Sequence, residues 1–207
     1  MEIIWLGHSC FRLRAREATI VTDPFPKVGR LTADIVTVSH QHPRHNNVAA
    51  VGGNPRIVAG PGEYEIKGVF ITGLATHHDA EKGRRRGRNT AYLIEAEELV
   101  VCHLGDLGHI LTPEQVEAMS NVDVLFVPVG GNNTIGPPQA SEVISLIEPK
   151  IVIPMHYRIG DEPSELEPVE KFLREMGLQK AEPQPKLMVT RSALPDEVQV
   201  VVLEPRR

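Results

Sequence analysis

The stretch VSHQHPRHNN, residues 38–47, ends the apolar run DIVTVS (34–39) and packs His40, His42 and His45 into six positions. A β-branched run that stops on clustered imidazoles reads as a strand delivering a site at its end. His40 and His42, at i and i+2 on an extended turn, can aim at one ion. His45 leaves from the next turn and can reach a second ion beside the first. Neutral imidazole suits zinc, manganese, iron and nickel, and with added carboxylates it builds hydrolytic metal centres. Pro43, Asn46 and Asn47 stiffen the turn. Arg44 sits inside it, always charged and with no lone pair to offer a metal.

Outward from this run the chain alternates short strands with fewer helices. EIIWLG (2–7), CFRLRA (10–15) and ATIVTD (18–23) precede it; RIVAG (56–60), YEIKGVFITGLAT (64–76), TAYLIEA (90–96) and LVVCHLG (99–105) follow. The second half changes rhythm. LTPEQVEAMS (111–120) carries Thr112 as an N-cap, Pro113 at the first helical position and Gln115 where a capping box needs it. DVLFVPV (123–129) and KIVIPMH (150–156) read as buried strands around a helix over PPQASEVISLIEP (137–149), with Val143, Ile144 and Ile147 on one face. EPVEKFLREMG (167–177) reads as a last helix, and KLMVTRS (186–192) and VQVVVLE (198–204) as closing strands. Strands, then βαβα, then strands predicts helices outside two sheets: an α/β sandwich over a single domain, 1–207. Asp106 and His156, like His40, fall at or just past strand ends, where a rigid scaffold presents chemistry.

Composition narrows the class. With 207 residues and 41% hydrophobic content the chain can bury a large core without disulfides, and Cys10 and Cys102 lie in apolar runs as buried thiols. A net charge of −5 argues against a general nucleic-acid binder. No run approaches the ~20 apolar residues of a membrane span, and MEIIWLGHSC lacks the basic and long apolar regions of a signal peptide, so the expectation is a cytoplasmic protein.

The motif order resembles the metallo-β-lactamase fold superfamily, most closely its small metal-dependent hydrolases related to L-ascorbate-6-phosphate lactonases. WLGHSCFRL (5–13) and IVTDPF (20–25) are similar to the opening strands of that branch, and SHQHPRH (39–45) stands at its H-x-H-x-D-H signature. ATHHD (75–79), CHLGDLGH (102–109), VPVGGNNTIGPPQA (127–140) and IPMHY (153–157) resemble the later segments in the same order. The resemblance implies a four-layer αββα sandwich, a first metal site of His40, His42 and His78, and a second of His45 and His156, with Asp106 between the ions. It implies one or two divalent ions, zinc first, with manganese, iron or nickel compatible. Its mechanism would be a metal-bound hydroxide attacking a small ester, lactone or phosphoester. His78 is preferred to His77 as the ligand because it precedes Asp79.

Arg44 replaces the aspartate of that signature. A unit charge a few ångströms from an ion costs about 4 kcal/mol at an effective dielectric near 20. Arg44 therefore either swings outward, pairs inward with Asp106, or stands in for the second ion as a catalytic cation toward a developing oxyanion. Asp106 is the second catalytic candidate, orienting the water or acting as base. Among the remaining candidates, Asp23 reads as a carboxylate supporting a ligand imidazole or as a turn-former before Pro24. His8 reads as pocket-lining or structural, His103 as a core histidine bonded to backbone, and His109 as local. The run RRRGR (84–88) reads as a solvated loop or a collector of anions, and GGNNT (130–134) as a turn or an anion-holding loop. The expected partner is a small, anionic substrate; nucleic acid is a less favoured alternative, and no membrane is expected. The rival reading from another class is a non-catalytic, degenerate metal- or ligand-binding protein on the same fold.

Overall fold

The structure is a computed structural model and describes residues 1–26, 28–160 and 164–206. Its strands are β1 (Glu2–Gly7), β2 (Cys10–Arg14), β3 (Thr19–Thr22), β4 (Leu31–Thr32), β5 (Ile35–Val38), β6 (Val51–Gly52), β7 (Arg56–Ala59), β8 (Gly62–Ile66), β9 (Val69–His77), β10 (Arg88–Ala96), β11 (Leu99–His103), β12 (Val124–Pro128), β13 (Ile151–Met155), β14 (Leu187–Met188) and β15 (Gln199–Val200). The helices are α1 (Pro113–Ala118), α2 (Pro137–Ile147) and α3 (Val169–Glu175).

Six strands form one sheet in the order β14-β1-β2-β3-β5-β7 and seven form another, β15-β13-β12-β11-β10-β9-β8. Alternation explains how they stack. In β1, Ile3 and Trp5 join the main core with Phe11, Leu13, Ile20 and Ile35, whereas Ile4 and Leu6 join a smaller core with Cys10, Val21, Val36 and Val38. The six-stranded sheet therefore buries both faces. Its inner face meets Tyr92, Ile94, Val101 and Phe126 of the other sheet; Phe11 stacks on Phe126 at a ring separation of 4.0 Å.

The βαβ unit β12-α2-β13 gives adjacent parallel strands, with Ala140, Val143, Ile144 and Ile147 of α2 buried. On that side the helical layer is present, and α3 adds Phe172 and Leu173. Over the six-stranded sheet the outer layer is thinner. Phe25, Val28, Leu31, Ala33, Val48 and Val51 cover it, on a segment whose one helical turn is the 3-10 turn Val48–Ala50 and whose two short strands, β4 and β6, pair with each other. The αββα sandwich thus has one outer layer made mostly of irregular chain.

Local chemistry accounts for most boundaries. The capping box of α1 forms, with Thr112 Oγ1 accepting from Gln115 N and the Gln115 side chain accepting from Thr112 N. The long run 64–76 is a hairpin, broken where Lys67 and Gly68 take φ +52° and +74°. Two consecutive left-handed residues are what a tight hairpin turn with native twist needs. The last two strands are shorter than expected, two residues each. Val201 N still donates to Val152 O of β13, but at Val202 the partner changes, its carbonyl accepting from Gln184 N. Pro168 is the N-cap of α3 rather than a residue inside it.

Candidate metal centre

The candidate residues gather at the strand ends along one edge of the paired sheets. His40 follows β5, His78 follows β9, Asp106 follows β11 and His156 follows β13. Four imidazoles converge on one carboxylate oxygen. Asp106 Oδ2 lies 3.2 Å from His78 Nε2, 3.3 Å from His45 Nε2, 3.5 Å from His156 Nε2 and 3.9 Å from His40 Nε2. Potential ligand atoms within 4.8 Å of one another form three groups: His40, His42 and His45; His40, His78 and Asp106; and His45, Asp106 and His156. His42 thus groups with His40 and His45 and, among the described residues, shares no such group with His78. It is exposed, and its Nδ1 accepts a long bond from Arg44 N.

A buried carboxylate sets the orientation of two of these rings. Asp23 is fully buried; its Oδ1 accepts from Ser39 N and its Oδ2 from Ser39 Oγ. It also accepts from His45 Nδ1 at 3.0 Å. The single hydroxyl proton of Ser39 is spent on Asp23, so its oxygen accepts from His40 Nδ1, 3.0 Å away. Both rings then carry a proton on Nδ1 and turn Nε2 toward Asp106. His40 Nε2 is buried with no hydrogen-bond partner. An unpartnered buried lone pair facing a carboxylate and three further imidazoles fits a divalent cation. Asp23 thereby takes the supporting role weighed for it in the sequence.

Electrostatics in the metal-free protein follow from this crowding. Burial alone would raise the carboxyl of Asp106; the charges of His156 and His45, with hydrogen bonds from His45 and His78, hold it well below the usual range instead. Burial also opposes a charge on His45, but Asp106 and Asp23 outweigh it and push its pKa up to about 10. Burial and the His45 charge push His40 down to about 4. His8 falls to about 4 as well, from burial and then from His156, Arg44 and His45.

The neighbouring histidines divide cleanly. His77, the last residue of β9, faces away and donates its backbone N–H to His109 Nε2, while His109 Nδ1 bonds to Ile110 O. His78 is the member of the pair that reaches Asp106. Arg44 is exposed, and among the described residues it forms no ion pair with Asp106. The inward Arg44–Asp106 pair weighed from the sequence is absent because four imidazoles already surround that oxygen. In the 130–134 loop, the N–H groups of Gly131, Asn133 and Thr134 are bonded within the protein, so the loop is mainly a closed turn.

Sequence reasoning gave no weight to the close approaches that hold the ligands. A Cβ on Gly130 would sit 2.1 Å from His156 O, and one on Gly108 would sit 2.4 Å from His78 C. Their only sequence signal is a glycine just past a strand end. His156 itself has φ +53°, as do His8 at +50° and Asp23 at +41°, so three non-glycine residues at the centre adopt left-handed backbone.

Two stacked sheets with a histidine–aspartate cluster at their strand ends define a metallo-β-lactamase-type domain. The chain belongs to the beta-lactamase superfamily domain family, whose profile matches residues 2–156. It is 31% identical over 205 residues to a UPF0173 protein of Pyrococcus furiosus, covering 85% of this chain and 90% of that one. It is 28% identical to a UPF0173 metal-dependent hydrolase of Methanopyrus kandleri, covering 99% and 97%. Among solved structures, a candidate Zn-dependent hydrolase of the metallo-β-lactamase superfamily from Thermotoga maritima superposes with a TM-score of 0.83 at 43% identity, over 98% of this chain and 97% of that one. These relatives place the chain among metal-dependent hydrolases of this fold. No described helix is long and apolar enough to cross a membrane.

Proposed function

We propose that the chain is a metal-dependent hydrolase of a small anionic ester, lactone or phosphoester, with His40, His42, His45, His78, Asp106 and His156 as the ligand set. The observation that carries this reading is the convergence of four imidazole Nε2 atoms on Asp106 Oδ2. The His/Asp donor set suits zinc, and also manganese, iron or nickel. A bound divalent ion would supply Lewis acidity and an acidified water. The chain's own work is positional. Asp23 and Ser39 hold the Nδ1 sides of His45 and His40 and so aim both Nε2 atoms at the centre, and Asp106 gathers the histidines around one oxygen.

The anionic preference is supported by the loop beside His78. Asp79 accepts from the backbone N–H groups of Glu81, Gly83, Arg85 and Arg86, and these four bonds outweigh desolvation to hold its carboxyl down to about 2. The loop is tied to the site by His78 N donating to Gly87 O. It displays Lys82, Arg84, Arg85, Arg86 and Arg88, of which Arg85 pairs with Glu81. A shaped loop of cations on an acidic protein is suited to hold a phosphate or carboxylate beside the histidine cluster. Arg44, exposed at the mouth, adds to that positive rim.

The deciding experiment measures bound metal in purified protein, then turnover of a generic phosphodiester and a generic lactone. Bound metal with turnover lost in His45→Ala supports the hydrolase. Metal-free protein that cannot be loaded overturns it and favours a ligand-binding role.

A further inference from the structure

We propose that Ser9 is a positioning residue for Asp106: it holds Oδ1 so that Oδ2 alone faces the four histidines. The inference rests on the reading of this centre as a metal site, and it concerns a residue which that reading does not use.

The geometry is specific to the two carboxylate oxygens. Every histidine contact of Asp106 within ion-pair range involves Oδ2. Oδ1 has a different partner, Ser9 Oγ, which donates to it at 3.2 Å. A carboxylate free to rotate would exchange its two oxygens and could present both of them to an ion. One fixed donor removes that freedom and separates the roles of the two oxygens.

Ser9 is itself held. It is fully buried in the turn between β1 and β2. Its carbonyl accepts from two side chains, His103 Nε2 at 2.7 Å and Thr22 Oγ1 at 3.0 Å. Thr22 Oγ1 in turn accepts from Phe11 N at 3.0 Å. His103 packs edge-on against the stacked pair Phe11 and Phe126, at centroid distances of 6.2 and 6.1 Å. The core histidine of β11 therefore clamps the serine, and the serine aims the aspartate three residues further along the same chain segment. The backbone of Asp106 is fixed independently, its N–H donating to Asn89 Oδ1 at 3.0 Å. Main chain and side chain are anchored from opposite sides, the first by β10 and the second by the β1–β2 turn.

The test compares wild type, Ser9→Ala and Thr22→Val by titration of the metal-free proteins with zinc, by cobalt(II) absorption spectra and by thermal unfolding. Ser9→Ala is expected to bind zinc about 10- to 100-fold more weakly, the usual range for losing a group that orients a ligand. Its cobalt(II) spectrum is expected to change because the carboxylate can turn. Thr22→Val, which loosens the clamp and leaves the hydroxyl of Ser9, is expected to show a smaller change in the same direction. Ser9→Thr, which keeps a hydroxyl, is expected to restore part of the affinity. If Ser9→Ala folds and matches wild type in zinc affinity and cobalt(II) spectrum, the proposal is wrong. If Ser9→Ala does not fold, Thr22→Val decides: an unchanged spectrum and affinity overturn the proposal. A wild type that takes up no zinc or cobalt refutes instead the metal reading beneath it.

Discussion

The two ends of the histidine run behave differently. His45 is 2% exposed and held between the carboxylates of Asp23 and Asp106. His42, three residues earlier, is exposed, and its ring Nδ1 accepts only a long bond from the backbone N–H of Arg44. Arg44 is exposed beside it. From the sequence, Arg44 replaces the signature aspartate beside His45 of the second site, while His42 belongs to the first. In the fold the replaced position is at the rim, while the histidine beside it is anchored from below. A charge change in a turn acts first on the face where its side chain points, and a buried neighbour one residue away can be insulated from it.

Several measurements can break or sharpen that contrast. The largest effect is expected from Asp23→Ala, which strands Ser39 N, Ser39 Oγ and His45 Nδ1 in the core. Removing one partner of a buried charged network costs about 3–5 kcal/mol, so a large drop in denaturant midpoint together with weakened zinc binding is expected. A loss below about 1 kcal/mol would mean that the buried end is not anchored as described. Gly130→Ala comes next. The added methyl meets His156 O, and overpacking of this kind costs about 1–3 kcal/mol; calorimetry should show it, with zinc affinity falling in parallel.

The pH dependence is the third. The folded-state pKa of His45 is raised, to about 10 from an ordinary 6.5. Its stabilising contribution is therefore complete below pH 6.5 and is lost as pH rises toward 10. His8 and His40 shift the other way, to about 4, so they favour unfolding as pH falls from 6.5 toward 4. The metal-free protein should be most stable near pH 6.5, apart from other titrating groups. Above that it should lose up to about 1.4 kcal/mol per pH unit from the single proton on His45. Chemical denaturation at pH 7 and pH 9 checks this, and His45→Gln should flatten the slope.

His42→Ala should leave folding stability within about 0.5 kcal/mol of wild type, as exposed substitutions usually do, while weakening zinc binding measurably. The smallest change is expected from Arg44→Ala, with stability again within about 0.5 kcal/mol and zinc binding tightened a few-fold at most. A large gain in bound metal from Arg44→Asp would instead make the arginine a true stand-in for an ion.

Much of this centre was legible before any coordinates. The strand ends carrying His40, Asp106 and His156 follow from apolar runs that stop on polar residues, and the α1 cap follows from local rules. His78 was preferred to His77 from the resemblance and its place before Asp79, and His78 is the one that reaches Asp106. His103 was legible as a core histidine bonded to backbone, and it is one; that its partner is the carbonyl of Ser9, 94 residues away, and that Ser9 meets Asp106, 97 residues away, left no trace in any periodicity. The direction of Arg44 depends on how crowded Asp106 is, which is a tertiary fact. The irregular layer over the six-stranded sheet was hidden for a similar reason: scattered apolar residues between Phe25 and Val51 carry no helical period, yet they cover a whole sheet face.

That layer has a thermal consequence. The segment that roofs the small core also carries the histidine run, and it is pinned back on itself by Asn47 N donating to Pro24 O. Its cover rests on a handful of aliphatic contacts, whereas the main core spans both sheets. Segments with fewer buried contacts open before the molecule as a whole does. On warming, amide exchange should quicken first over 28–33 and 46–51, on either side of β5, and catalytic competence should melt away at a temperature where the paired sheets are still intact.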